Sequence, residues 1–276
     1  ISSNKKENKK IKVCFIGKPN TGKSTLINKI IGKDRLITGE KPGLTRDSIE
    51  TPFFKDEVEY ILTDTAGMRK KSKIIHIIEK KSVNQSLSSI RDSDICLLLI
   101  DANHNIQKQD LLIANRVLDS GRGLIIVLSK WDLIEEKKNI KHFIDDKIKH
   151  SLSQTKDVKV VKISAITGFG INNLINEISN IYDLLGKRIS TSILNKWFFS
   201  KISQNPAPLV SGKVNSLKYI SQVGIKPPSF IIFCSYPKKI PISYSKYIYN
   251  CLKKDFSFSG LPIKVIFKKS NNPYKN

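Results

Sequence analysis

Gly17-Lys18-Pro19-Asn20-Thr21-Gly22-Lys23-Ser24 sets the architecture of this chain. An apolar run of strand length, Ile11 to Ile16, precedes the octapeptide, and a helix-like stretch, Lys23 to Ile31, follows it. Strand, glycine-punctuated loop and helix in that order form a phosphate-binding loop. The glycines let consecutive backbone N–H groups converge on phosphate oxygens, and the Lys23 ammonium reaches the terminal phosphates. Ser24, followed by Thr25, offers a hydroxyl to a magnesium ion. The segment Gly17 to Thr25 therefore predicts nucleotide binding at a helix start.

Outward from this loop, up to about Leu185, strands near 11–16, 57–63, 95–101, 123–129 and 158–163 alternate with helical patterns near 23–31, 80–90, 107–119, 139–150 and 171–185. Such alternation predicts an α/β domain, a mostly parallel sheet with helices on both faces. Ligand-binding loops leave such a sheet at the carboxyl ends of its strands. Ser129-Lys130-Trp131-Asp132 follows the apolar strand Gly123 to Leu128 at that edge. The Asp132 carboxylate can accept hydrogen bonds from N1 and N2 of guanine, donors that adenine lacks there, so it argues for GTP. The Lys130 stem would lie along the base plane. Ser164-Ala165 ends a further apolar strand, Val158 to Ile163, where a backbone N–H can meet guanine O6.

The loop is joined in order by Thr45, by Asp64-Thr65-Ala66-Gly67, by Lys130-Trp131-Asp132 and by Ser164-Ala165. These five ordered elements resemble the translation-factor-like GTPases. The resemblance implies that Asp64 holds magnesium through water and that Gly67 offers its N–H to the γ-phosphate. It also implies that Pro42-Gly43-Leu44-Thr45-Arg46-Asp47 is a first switch, whose Thr45 ligates magnesium only with the triphosphate bound. Met68 stands where many small GTPases carry the Gln that orients the attacking water. Resemblance to GTPases with an apolar residue there implies a potassium ion beside the phosphates, held partly by Asn20 and replacing the charge of an arginine finger. Simple turn chemistry is the other reading of Asn20. The family's base-reading motif begins with Asn, and this chain has Ser129. A lost amide is a lost tie between base and loop; at ~0.5–1.5 kcal/mol per net hydrogen bond, guanine binding is expected to weaken by up to roughly tenfold.

Composition changes after Gly186, a hinge that divides the chain into domains 11–186 and 187–276. Residues 187–276 hold sixteen Lys and Arg against one acid, Asp255, so this third of the chain carries +15 of the total +24. So one-sided an excess predicts a polyanion partner, RNA. Helix 190–203, strand 213–222, strand 229–235, helix 243–254 and strand 262–268 give the order α-β-β-α-β, three strands backed by two helices. That order is similar to the KH module, although the Gly-x-x-Gly loop with which KH domains grip single strands is missing. Fourteen of the 22 aromatic residues lie from Trp197 onward, enough for stacking platforms. The spacing of Phe230, Phe233, Tyr244, Tyr247 and Phe256 instead reads most of them as core.

The combined pattern resembles the Der (EngA) family of bacterial ribosome-assembly GTPases, specifically their second GTPase domain and the KH-like domain after it, from about Lys12 to Lys269. Beyond the nucleotide motifs the matching stretches are Asp64-Thr65-Ala66-Gly67-Met68-Arg69-Lys70-Lys71, Ile189-Ser190-Thr191-Ser192, Pro206-Ala207-Pro208-Leu209-Val210, Gln222-Val223-Gly224 with Pro227-Pro228, and Gly260-Leu261-Pro262-Ile263. The resemblance implies a slow cytoplasmic GTPase, using GTP/GDP, Mg2+ and K+, that acts in assembly of the large ribosomal subunit. Its basic domain would dock on rRNA, and the protein would be monomeric. A first GTPase domain would lie outside this sequence, with residues 1–10, ISSNKKENKK, as a linker remnant. A nucleotide-gated RNA-binding scaffold with negligible hydrolysis is the alternative, suggested by Ser129 and Met68. No apolar run approaches the roughly twenty residues of a membrane span. Cys14, Cys96, Cys234 and Cys251 lack metal-ligand spacing and read as reduced thiols.

Overall fold

The computed structural model describes residues 9–34, 50–64, 88–104, 106–134, 158–258 and 260–269. Two compact units divide the chain, Ile1–Tyr182 and Asp183–Asn276.

In the first unit, β1 (Lys10–Ile16), α1 (Lys23–Asp34), β2 (Glu50–Lys55), β3 (Val58–Asp64), β4 (Ile95–Asp101), α2 (Lys108–Asp119), β5 (Gly123–Ser129), β6 (Lys159–Lys162) and α3 (Ile171–Leu185), whose last three residues fall in the second unit, follow one another. The six strands form one sheet in the order β2-β3-β1-β4-β5-β6. Every pairing is parallel except that of β2 with β3. All seven residues of β4 and of β5 are buried, which is why both read as unbroken apolar runs. β1 lies between β3 and β4, so the order of strands reverses beside it, and the loop leaving β1 opens into the crevice where such sheets bind ligands.

The sequence reading contains no β2. Its hairpin with β3 turns at Asp56 and Glu57, both with positive φ, 49° and 61°. Two-residue turns of that kind usually advertise themselves with Asn or Gly, and neither is present. Pro52 further disguises the strand, and is tolerated because β2 is the sheet's edge. Of the expected helix 80–90, residues 88–90 are described and helical, while the expected helix 139–150 lies outside the described residues.

The second unit consists of α4 (Thr191–Gln204), β7 (Leu217–Ile225), β8 (Pro228–Cys234), α5 (Ile242–Asp255) and β9 (Lys264–Lys269). The sheet order is β7-β8-β9, with β7 antiparallel and β9 parallel to β8. Ser190 caps α4 by accepting the Ile193 N–H. β7 begins at Leu217, later than expected, because Val210 and Lys213 pair across a tight turn in which Ser211 and Gly212 both have positive φ. Leu194, Phe198, Ile220, Phe230, Ile232, Cys234, Ile248, Leu252, Phe258 and Leu261 are fully buried in its core. Side-chain amides fasten its edges. Asn195 of α4 donates to the Ile220 carbonyl at 2.9 Å and accepts the Ile220 N–H at 3.0 Å. Gln222 accepts the Ile189 N–H at 2.8 Å and donates to the Lys187 carbonyl at 3.0 Å, holding the unit's entry segment.

Phe233 corrects one expectation. It is half-buried on the sheet face opposite Phe230, stacked on the exposed Tyr219 with ring centroids 4.4 Å apart. Along a strand, residues three apart face opposite sides.

Candidate nucleotide site

Gly17 follows the first strand with φ 146°, and a Cβ there would run into the Leu99 carbonyl of β4. Glycine lets the loop start this close to the sheet. Asn20 takes φ 63° at the exposed turn that begins with Pro19, and Gly22 follows with φ 87°. Lys23 is 6% exposed, and its ammonium donates to the carbonyls of Gly17 at 2.9 Å and Lys18 at 2.7 Å, which fixes the charge inside the loop. Thr21 is also buried and its hydroxyl donates to the Lys18 carbonyl at 2.9 Å. Ser24 is half-buried in the first turn of α1, with Thr25 exposed beside it. Asp64 is the last residue of β3, in register with Phe15, so its backbone ends at the same sheet edge as the loop. Thr45, Thr65, Ala66, Gly67 and Met68 lie outside the described residues.

Ser129 keeps a bond to the phosphate loop where the expectation was a lost tie between base and loop. Its hydroxyl, 3% exposed, donates to the Thr21 carbonyl of the phosphate loop at 2.7 Å and approaches the Ile100 carbonyl at 3.2 Å. A serine therefore spans the gap from β5 to the loop. Ser129→Ala is expected to weaken GDP binding by roughly twofold to tenfold, the worth of one net hydrogen bond. Ser129→Asn should bring no gain. Titration with a fluorescent GDP analogue reads both, and a tighter Asn variant would show that the hydroxyl is an insufficient tie.

Lys130 has φ 56°, a left-handed conformation costly for a side-chain-bearing residue. Two contacts hold it: its ammonium donates to Asp101 at 2.7 Å, and the next N–H, of Trp131, donates to the Ile163 carbonyl at 3.0 Å. Trp131 is buried beneath the Lys162 ammonium, 4.6 Å from the ring centroid, and so anchors the short helix Trp131–Leu133. That helix leaves Asp132 exposed. Ser164 is 1% exposed; its hydroxyl accepts the Thr167 N–H at 3.1 Å and its N–H donates to the Phe169 carbonyl at 3.0 Å, which shapes the turn containing Ala165. Lys29 of α1 donates to the Ile166 carbonyl at 3.1 Å. Phosphate loop, Lys130–Asp132 and Ser164–Ala165 thus share one hydrogen-bonded edge.

Asp101 and Asp110 were not anticipated, since each reads alone as an ordinary acid at the end of a strand or the start of a helix. Burial alone would raise the pKa of Asp101, but hydrogen bonds from Lys130 and from the Asn103 N–H and amide bring it below the usual value. It stays a carboxylate, the partner that Lys130 requires. Asp110 receives the Lys18 ammonium at 3.2 Å, and Gln107 receives it at 2.6 Å.

Within residues 187–276, the single acid is already engaged. Asp255 accepts the Trp197 indole N–H at 2.8 Å and pairs with Lys201 at 2.9 Å, and these two bonds, the indole's first, lower its pKa. Lys196, Lys218, Lys254, Lys264, Lys268 and Lys269 are exposed with no second acid in residues 187–276 to offset them. Lys253 differs: it is 8% exposed, its ammonium 5.8 Å from the Tyr249 ring centroid, so it is a packing residue and not a surface charge. Among the described residues no group of three or more His, Cys, Asp or Glu could hold a metal, and no helix is long and apolar enough to cross a membrane.

Comparison with known proteins adds an independent observation. Residues 12–130 match the family model described as 50S ribosome-binding GTPase, and residues 188–268 match the KH-domain-like C-terminal region of EngA bacterial GTPase enzymes. GTPase Der of Agrobacterium fabrum is 40% identical over 98% of this chain and 57% of its own length. GTPase Der of a Thermoanaerobacter species is 42% identical over 94% of this chain and 59% of its own length. The chain thus spans under three fifths of these curated relatives. Among solved structures, Era of Aquifex aeolicus is 22% identical with a TM-score of 0.49, covering 96% of this chain and 95% of that one.

Proposed function

The chain belongs to the Der (EngA) family, as a P-loop GTPase domain followed by a KH-like domain, and from that membership we propose that it binds and slowly hydrolyses GTP in assembly of the large ribosomal subunit. The carrying observation is the shared edge at which Ser129 joins the guanine-facing segment to the phosphate loop. Asp132 would select guanine, Lys130 would cover the base plane, and Ala165 would present its N–H to O6. Loop N–H groups and the fixed Lys23 ammonium would bind the phosphates and stabilise charge as it moves toward the leaving oxygen. Ser24, Asp64 and Thr45 would supply an all-oxygen donor set suited to magnesium, which typically takes one or two carboxylates together with substrate phosphates. Bound there, magnesium would neutralise phosphate charge. Gly67 would sense the γ-phosphate, with Thr65, Ala66 and Met68 beside it.

The basic unit, with the boundary taken at 186/187, would dock on rRNA, as the ribosome-binding description of the matching family suggests. The protein would act in the bacterial cytoplasm as a monomer, continuous with a first GTPase domain. Hydrolysis of radiolabelled GTP with and without large subunits tests this reading, and an unmodified chain that binds no guanine nucleotide sinks it.

Asn20 would help hold a potassium ion whose charge supplements Lys23. Potassium should then raise kcat about tenfold or more over sodium at equal ionic strength, on the scale of single electrostatic contributions to catalysis. Asn20→Ala should erase the difference. Equal rates in the two salts would leave Asn20 as a left-handed turn residue.

A further inference from the structure

Lys18 is the knot of the phosphate loop. Its carbonyl oxygen receives both the Lys23 ammonium, at 2.7 Å, and the Thr21 hydroxyl, at 2.9 Å. The orientation of that peptide, together with the Gly17 carbonyl at 2.9 Å, therefore sets where the phosphate-binding ammonium lies. Its side chain, in turn, is fastened outside the loop: the Lys18 ammonium donates to Gln107 at 2.6 Å and to Asp110 at 3.2 Å. Both acceptors belong to the start of α2, whose Ala114, Val117 and Leu118 are buried in the core, so the anchor is rigid.

Asp110 itself is 4% exposed and also accepts the Gln107 N–H at 2.9 Å, which fixes its carboxylate. An exposed ion pair would count for little. Here the Asp110 side chain is 5% exposed and that of Lys18 only 29%, so the pair is largely withdrawn from water and each charge depends on the other.

We propose that Asp110 is a positioning residue for the nucleotide's phosphates, acting through the Lys18 ammonium on the peptide that orients Lys23. The inference rests on the guanine-nucleotide reading above. Lys130 is held in the same manner by Asp101, from the other end of the β4–α2 connection. One segment, 101–110, thereby braces the base side through its first residue and the phosphate side through its last.

The two braces are separable by ligand. GMP lacks the β-phosphate that the loop cradles, while GDP has it. Asp110→Asn keeps an acceptor for the Gln107 N–H and removes the charge. Lys18→Met removes the cation from the more exposed side, where no core is opened. Competition against a fluorescent GDP analogue, on the full chain, is expected to show each substitution weakening GDP by about tenfold and the double variant no worse than the weaker single, the signature of coupled residues. GMP affinity should stay within about twofold, and Lys18→Arg should restore GDP binding, since a guanidinium keeps the ion pair. Asp101→Asn should instead weaken GDP and GMP alike. Additive losses in the double variant, unchanged GDP affinity, or parallel loss of GDP and GMP in Asp110→Asn would overturn the proposal. Should the unmodified chain bind neither nucleotide, the function reading falls and takes this inference with it; binding without coupling overturns the inference alone.

Discussion

Replacing Asp132 by Asn is expected to abolish the preference for guanine over adenine nucleotides. In the proposed site the carboxylate would face two N–H groups of guanine, and hydrogen bonds to a charged group are worth about 1.5–3 kcal/mol each, so GTP affinity should drop on the order of a hundredfold or more. ATP affinity, which never used those bonds, should barely move. Competition binding of GTP and ATP to the two proteins measures the ratio directly. Comparable affinities for both nucleotides in the unmodified chain would remove Asp132 from the base site. Its exposed position after the buried Trp131 suits the role: the tryptophan and the Ile163 carbonyl fix the backbone, while the carboxylate remains at the surface.

What was legible beforehand follows a physical line. The phosphate loop, the central strands and Lys130–Asp132 were readable because their chemistry is local: glycines at fixed spacing, unbroken apolar runs, a carboxylate after a strand. Contacts between distant segments were not. Ser129 meets Thr21 across more than a hundred residues, and Asp110 meets Lys18 across more than ninety. Nothing in either neighbourhood signals the partner, so a serine in an asparagine's place reads as one lost hydrogen bond, whereas its hydroxyl reaches the loop. β2 escaped for the opposite reason, because its local signals, a proline within the strand and an Asp-Glu turn, point away from the structure that the sheet edge permits. Lys253 shows the same limit in the basic unit. Beside Lys254 it reads as half of a surface pair, yet the helix turns the two residues in different directions and buries one.

That distinction sharpens the second large effect, the salt dependence of ribosomal RNA binding. With Asp255, the one acid of residues 187–276, held by Trp197 and Lys201, the exposed lysines of this stretch have no second acid within it to offset them. Phosphate contacts should therefore dominate affinity. Five such contacts on single-stranded RNA give a slope near roughly −3.5 in log affinity against log salt, so a fourfold rise in salt should cost on the order of a hundredfold. Reversing the exposed Lys254, or Lys268 with Lys269, should lower the slope's magnitude by about 0.7 or more for each phosphate left without its lysine, while leaving GTP affinity unchanged. Lys253→Glu is the wrong probe, since burying an unmatched carboxylate would unsettle α5 itself. Nucleotide should act on top of charge: if Thr45 and Gly67 order their segments around the γ-phosphate, particle affinity will differ between a GTP analogue and GDP by whatever differential affinity the two states possess. Co-sedimentation with large subunits across salt and nucleotide measures both dependences. Binding indifferent to both would detach this chain from the ribosome and leave its GTPase site without an assigned partner.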